Sequence, residues 1–281
     1  MKLLRVGAPG AEKPAMLDPE GTLRDLSGII PDLAGEALSD AGLRRLAGAD
    51  WKNLPKVAGN PRVGPCVPRP INFFCIGLNY ADHAAETGSP IPKEPIVFLK
   101  SLGAFSGPND EVKIPRGAKK TDWEVELGVV IGRRASYVPD NQSMDYVAGY
   151  CICNDVSERE FQIERGGTWD KGKGCDTFGP TGPWLVTKDE IPDPQNLPMW
   201  LDVDGKRMQN GNTRTMIFAV DKLVSYLSHF FTLHPGDIIS TGTPPGVGAG
   251  IKPTPVFLQA GQTMRLGIEG LGEQQQRLVQ G

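Results

Sequence analysis

Glu124 and Glu126 stand two residues apart in Asp122-Trp123-Glu124-Val125-Glu126-Leu127-Gly128-Val129-Val130-Ile131-Gly132, at the mouth of an apolar, β-branched run. A strand turns successive side chains to opposite faces, so the two glutamates share a face while Trp123, Val125 and Leu127 point into a core. Adjacent carboxylates on a half-buried strand repel unless something positive lies between them, and a hard divalent cation is one resolution. Alone, an E-x-E strand is more often a solvated face. A second run, Ala148-Gly149-Tyr150-Cys151-Ile152-Cys153-Asn154-Asp155, ends in another carboxylate. Three carboxylates at two strand ends, with no His or Cys at ligand spacing, describe an all-oxygen site. Mg²⁺ or Mn²⁺ suits such a site, and zinc does not. Three protein oxygens leave about three of six positions open for water and a chelating substrate.

His83 and Glu86 fall at i and i+3 in Gly77-Leu78-Asn79-Tyr80-Ala81-Asp82-His83-Ala84-Ala85-Glu86-Thr87-Gly88, a strand followed by a short helix, with Asn79 as expected N-cap and Gly88 as stop. A carboxylate beside an imidazole orients it as a general base, although the same spacing also makes ordinary surface ion pairs. Of three histidines, His83, His229 and His234, His83 is the clear candidate, and His229 reads as a surface residue. Lys171-Gly172-Lys173-Gly174 is a basic, glycine-rich loop that fits either a turn or a cradle for an anion; it lacks P-loop spacing. The loop Ser240-Thr241-Gly242-Thr243-Pro244-Pro245-Gly246 is no dinucleotide fingerprint, since a proline-broken stretch, Ile251 to Phe257, follows it. It reads as a pocket wall in which Thr241 offers a hydroxyl. No G-x-S-x-G elbow occurs, which argues against a serine hydrolase.

These residues need a frame. With 35 glycines and 25 prolines in 281 residues, the chain is cut into short elements, which favours a mainly β, α+β fold over a helical or doubly wound one. Residues 1–68 read as a small N-terminal α+β unit. It holds a strand from Lys2 to Val6, a hairpin over Ala15 to Leu26 and a helix from Ala34 to Leu46. The stretch from 60 to 72, with Pro61, Pro65, Pro68 and Pro70, reads as a linker to a domain at 69–281. There, strands are expected at 72–76, 96–99, 124–131, 146–153, 184–187, 199–203, 237–240 and 264–268. A helix is expected from Ile217 to Phe231, and another starting at Val156. Net charge of −3 without a basic block argues against nucleic acid, and no apolar run approaches the ~18 residues that span a membrane. The arginine at position 5 interrupts any signal-like start, and five scattered cysteines suggest reduced thiols in a cytoplasm, with Cys151 and Cys153 as buried strand residues.

Taken together, the segments Gly77 to His83, Glu124 to Gly128, Asn154 to Arg159, Lys173 to Phe178 and Thr241 to Pro244 resemble the fumarylacetoacetate hydrolase family, over about Phe74 to the C-terminus. The resemblance implies a mixed β-roll catalytic domain, a homodimer, and Mg²⁺ (or Mn²⁺) on Glu124, Glu126 and Asp155. It implies a 2-oxo acid bound through its carboxylate and ketone oxygens, with Lys173, Arg159, Gln162 and Thr241 lining the pocket. His83 with Glu86 matches the water-activating dyad of the smaller, acylpyruvase-like branch, and Lys173 would offset negative charge on substrate and enolate. The implied reaction is hydrolysis of a C–C bond in a 2,4-dioxo acid to pyruvate and a carboxylic acid. The wording of residues 172–180 is most like members assigned to sugar-acid breakdown, with a 2,4-diketo-3-deoxy sugar acid as substrate, or labelled ureidoglycolate lyase. The alternatives are a lyase on the same site, acting on oxaloacetate or ureidoglycolate, and a non-catalytic β-rich binding protein.

Overall fold

The computed structural model describes all residues, Met1–Gly281. Along the chain run strands β1 (Lys2–Val6), β2 (Lys13–Leu17) and β3 (Leu23–Asp25), helix α1 (Asp40–Ala47), β4 (Phe73–Gly77), helix α2 (Ala81–Thr87) and β5 (Ile96–Leu99). Then come β6 (Phe105–Ser106), β7 (Val112–Ile114), β8 (Thr121–Asp122), β9 (Val125–Ile131), β10 (Val147–Asn154) and β11 (Ser157–Glu158). The remainder is α3 (Asp170–Lys173), β12 (Gly179–Thr187), β13 (Pro198–Val203), β14 (Lys206–Asn212), α4 (Val220–Ser228), β15 (Ile238–Ser240), β16 (Thr263–Ile268) and β17 (Gly272–Gln280).

The apolar run after Glu124 becomes β9, in the middle of a 10-stranded sheet in the order β3-β2-β1-β12-β10-β9-β15-β4-β5, with β6 paired to β12 off this path. Every residue of β9 and β10 is buried, because the sheet is covered on both faces. Alternation divides β9 between two cores: Val125, Leu127, Val129 and Ile131 enter a cluster of 36 buried residues, and Val130 enters one of 20. The larger cluster also takes Met199, Leu201, Met264 and Leu266 from a second sheet, β14-β13-β16-β17-β7, and Leu223, Val224 and Leu227 from α4. No helix is long and apolar enough to cross a membrane.

Five strand ends meet at one edge of the large sheet. β9 runs antiparallel to both β10 and β15, so its start lies beside their ends. β4 is parallel to β15 and ends there too, and β5 begins opposite it, with Ile96 paired to Gly77. The carboxylates of β9 and β10 therefore share a neighbourhood with the loops after β4 and β15.

The mainly β, α+β reading agrees with this architecture. At the N-terminus, β1 pairs directly with β12, Leu3 opposite Leu185, and Leu26, Leu33 and Leu38 share a core cluster with Phe73, Val130 and Ile238. The proline-rich stretch 60–72 is packed against the molecule: Cys66 and Val67 are buried and Val63 bridges to Val6. Cys151 and Cys153 face the interior as expected.

Several local expectations differ. The helix expected from Ala34 to Leu46 is broken at Ser39, whose extended backbone and hydroxyl, 3.0 Å from the Gly42 N–H, start α1 afresh. The helix expected at Ile217–Phe231 starts only at Val220, because Asn79 captures the backbone N–H groups of Ile217 (2.7 Å, through its carbonyl) and Phe218 (2.8 Å, through its side chain). Asn79 consequently does not cap α2; Tyr80 does so, with no side-chain bond. After Asp155 the chain forms β11 and a π-turn at Glu160–Glu164, not an α-helix, since Ser157 and Glu158 pair with β8. Gly88 does end α2, at φ 68°.

Candidate active site

The three carboxylates converge as their spacing requires. Glu124, Glu126 and Asp155 are buried and each brings one oxygen within 4.8 Å of the others. Backbone pairing sets this register: the Asp155 N–H donates to Glu124 O at 2.9 Å, and the Val125 N–H is held by Gln209 Oε1 at 2.9 Å from the second sheet.

Three cations meet these acids. Lys173 Nζ, at the end of α3, lies 2.5 Å from Glu124 Oε2 and 2.7 Å from Asp155 Oδ2. Arg159 donates to Glu124 Oε1 at 2.7 Å, to Asp122 Oδ2 at 2.8 Å and to Gln162 Oε1 at 3.1 Å. Lys100, fully enclosed, pairs with Asp155 Oδ1 and donates to the carbonyls of Val156 (3.1 Å) and Lys173 (2.5 Å). Glu126 has no cation; it accepts from Ser240 Oγ at 2.6 Å and from the Gly242 N–H at 2.9 Å. Gly242 sits at φ 98°, where a Cβ would lie 2.8 Å from Asn79 Cβ, so only glycine lets this amide reach the carboxyl.

The charges divide the two glutamates. Burial pushes the Glu124 carboxyl up, but Lys173 and Arg159 more than offset it and hold it at about 2. Burial and then the negative charges of Asp155 and Glu124 raise Glu126 to about 8. Burial pulls the Lys173 ammonium down, yet Asp155 and Glu124 leave it above its ordinary value. Asp122, Glu124 and Asp155 are thus matched by Arg159, Lys173 and Lys100, and Glu126 is the surplus acid that keeps its proton. These oxygens fit a divalent metal: an all-oxygen set with an unmatched carboxyl suits Mg²⁺ or Mn²⁺. Exchange of that proton for a dication leaves the cluster with one net positive charge, suited to a carboxylate ligand.

His83 and Glu86 form the expected pair on α2. His83 Nδ1 lies 3.1 Å from Glu86 Oε2, and the Gly246 N–H, 3.0 and 3.2 Å from the two Glu86 oxygens, fixes that carboxylate. His83 opens into a cavity of about 310 Å³ that is also lined by Glu124, Glu126, Asp155, Arg159, Gln162 and Lys173. Larger hollows of about 550 and 480 Å³ lie toward the N-terminal part, and neither meets the three carboxylates.

Thr241 is placed differently from its expected role. It does not line the cavity; its hydroxyl donates to Leu127 O at 2.9 Å and its carbonyl accepts from Asn79. Thr243, two residues on, lines the cavity instead. Sequence reasoning gave no role to Lys100 or Asp122. A lysine closing the apolar strand Ile96-Val97-Phe98-Leu99, in a chain with an acidic cluster, was the available signal for Lys100.

A model of the fumarylacetoacetate (FAA) hydrolase C-terminal family matches residues 72–279. The chain belongs to the fumarylacetoacetate hydrolase family. Within it, a relative from Burkholderia ambifaria named "Putative hydrolase" is 67% identical over 276 residues, covering 98% of both chains. Among solved structures of similar fold is 5-carboxymethyl-2-hydroxymuconate delta-isomerase from Mycobacterium smegmatis. It has TM-score 0.78 and 31% identity, with 100% of this chain and 99% of that one covered. Another is maleylpyruvate hydrolase from Sphingobium sp. SYK-6, in complex with manganese(II) ion and pyruvate. It has TM-score 0.82 and 28% identity, with both chains covered completely. Proteins named for isomerisation and for hydrolysis thus share this frame, and the reaction must be argued from the site.

Proposed function

We propose that the protein hydrolyses a 2,4-dioxo acid to pyruvate and a carboxylic acid, with Mg²⁺ or Mn²⁺ held by Glu124, Glu126 and Asp155. The observation that carries this reading is that His83, held by Glu86, opens into the same cavity as the acidic cluster. Isomerisation or decarboxylation calls for stabilisation of an enolate; hydrolysis also needs an activated water, and the pair supplies a base for one. A metal bound at the cluster acts as a Lewis acid toward the oxygens of the 2-oxo acid end.

The chain's own residues do the rest. With Nδ1 held by Glu86, His83 has Nε2 left to take a proton from water. The water oxygen bonds to C4, the C3–C4 bond breaks, and its electron pair passes into the pyruvate enolate, which is protonated at C3. Lys173 and Arg159, both buried, offset the charge that develops at the carboxylate end. Gln162, oriented by Arg159, lines the same wall.

The test is turnover of acylpyruvates, a 2,4-diketo-3-deoxy sugar acid, oxaloacetate and ureidoglycolate, each with Mg²⁺ and with EDTA. Metal-dependent pyruvate release from dioxo acids, abolished in His83→Ala, supports the hydrolase. Turnover confined to oxaloacetate or ureidoglycolate, or surviving loss of His83, moves the protein to the lyase reading.

A further inference from the structure

The geometry points to an apolar tail on the substrate. The apolar wall of the catalytic cavity, made by Ile96, Phe98, Ile163 and Trp169, takes an alkyl or aryl acyl group in preference to a polyhydroxylated one. This refinement rests on the dioxo-acid reading above.

The cavity lining combines charged and apolar side chains, and Phe98 touches both. Its ring centroid is 5.2 Å from Lys173 Nζ and meets Trp169 edge-on at 5.3 Å. Trp169 is seated on bare backbone. A Cβ on Gly77 would lie 2.3 Å from its Cζ3 and 2.8 Å from its Cη2, so the indole occupies the space a side chain would fill. Ile96, paired with Gly77 across β4 and β5, borders the same spot. Ile163 is 62% exposed and Ile96 37% exposed. Large apolar groups left in water around a cavity mouth are stabilised by a ligand that covers them.

The hydroxyls along the wall are already engaged within the chain. Thr243 Oγ1 donates to Val125 O at 3.0 Å, and Thr87 Oγ1 lies 3.1 Å from His83 O and 3.0 Å from Ser89 Oγ. A polyol tail would give up hydrogen bonds to water for a wall that returns few of them. The likeness of residues 172–180 to sugar-acid enzymes concerns the stretch that carries Lys173; the four wall residues all lie outside it.

The test uses the full-length protein with Mg²⁺ and compares kcat/KM for acetylpyruvate, 2,4-dioxooctanoate, benzoylpyruvate and a 2,4-diketo-3-deoxy sugar acid. We expect kcat/KM to rise about threefold or more per added methylene, and the alkyl and aryl substrates to exceed the sugar acid at least about tenfold. Trp169→Ala and, separately, Ile163→Ser should each cut the ratio of octanoate-length to acetyl substrate by roughly tenfold. Calorimetric binding of unreactive 2-oxooctanoate and 2-keto-3-deoxygluconate gives a second readout. If no dioxo acid is turned over, the hydrolase reading fails, and the relative affinity of these two compounds still decides the tail. Equal or better turnover or binding of the polyol, or a chain-length ratio unchanged in both variants, overturns the proposal.

Discussion

His83 Nδ1 and Glu86 Oε2 lie 3.1 Å apart on one face of α2, and the carboxylate is pinned by an amide 160 residues further along the chain. A histidine whose partner is itself anchored keeps one tautomer and one direction. His83→Ala should lower kcat for dioxo-acid hydrolysis by about 10²- to 10⁴-fold, with KM little changed. Glu86→Gln, which keeps the shape but not the charge, should cost less, on the order of tenfold to a hundredfold. Steady-state kinetics check both, and equal KM and kcat effects in Glu86→Gln would point to disruption of α2 rather than loss of a base.

Metal binding should be linked to a proton on Glu126. Its folded-state value of about 8 lies above the ordinary carboxyl range, so below pH 8 a metal must displace a proton to use both glutamates. Affinity should therefore fall as pH drops below 8, by roughly tenfold per unit, and level off above it. Calorimetry with Mn²⁺ at pH 6.5 and 8.5, in buffers of different ionisation enthalpy, should show about one proton released at the lower pH only. Glu126→Gln should abolish that linkage and weaken binding.

Arg159 neutralises two buried carboxylates, Asp122 and Glu124, at 2.8 and 2.7 Å. Arg159→Met should leave Asp122 without a cation and Glu124 with Lys173 alone, and destabilise the metal-free protein by about 3–5 kcal/mol, seen as a fall in Tm on the order of 10 °C. Arg159→Lys restores the charge but not the fork that reaches both partners, and should fall between. A Tm within about 2 °C of wild type in Arg159→Met would show that Lys173 on Glu124, and the Gly248 and Ala249 amides that donate to Asp122 at 2.6 and 3.0 Å, suffice.

Removing residues 1–68 should prevent the remainder from folding alone. Strand β12 would lose its partner β1, exposing an edge, and Phe73, Val130 and Ile238 would lose the leucines that cover them. The fragment 69–281 should be insoluble or melt without a cooperative transition. A soluble fragment with a sharp transition near that of the whole chain would establish an independent catalytic domain.

Removal of metal should leave the fold standing. Lys173, Lys100 and Arg159 already neutralise three of the four acids, and Glu126 can take a proton. EDTA should abolish turnover while Tm falls by only a few degrees. A collapse of secondary structure measured by circular dichroism would mean that the metal is structural.

The residues by themselves determined the elements that carry chemistry. Alternation around Glu124 and Glu126 placed both on one face, and the i, i+3 spacing brought His83 to Glu86, because strand and helix periods act over a few residues. The α+β class was legible for the same reason, from short apolar runs cut by glycine and proline. Tertiary structure decided what joins those pieces. Lys100 follows the end of β5, beside Phe73, and entered the site only because its side chain meets Asp155 and the carbonyls of Val156 and Lys173. Thr241 was drawn from the pocket because Leu127 on the neighbouring strand took its hydroxyl. Asn79 abandoned its local capping role for backbone groups 138 and 139 residues away, shortening a helix whose own pattern ran longer. Such bonds depend on which strand lies beside which, and no local period records that.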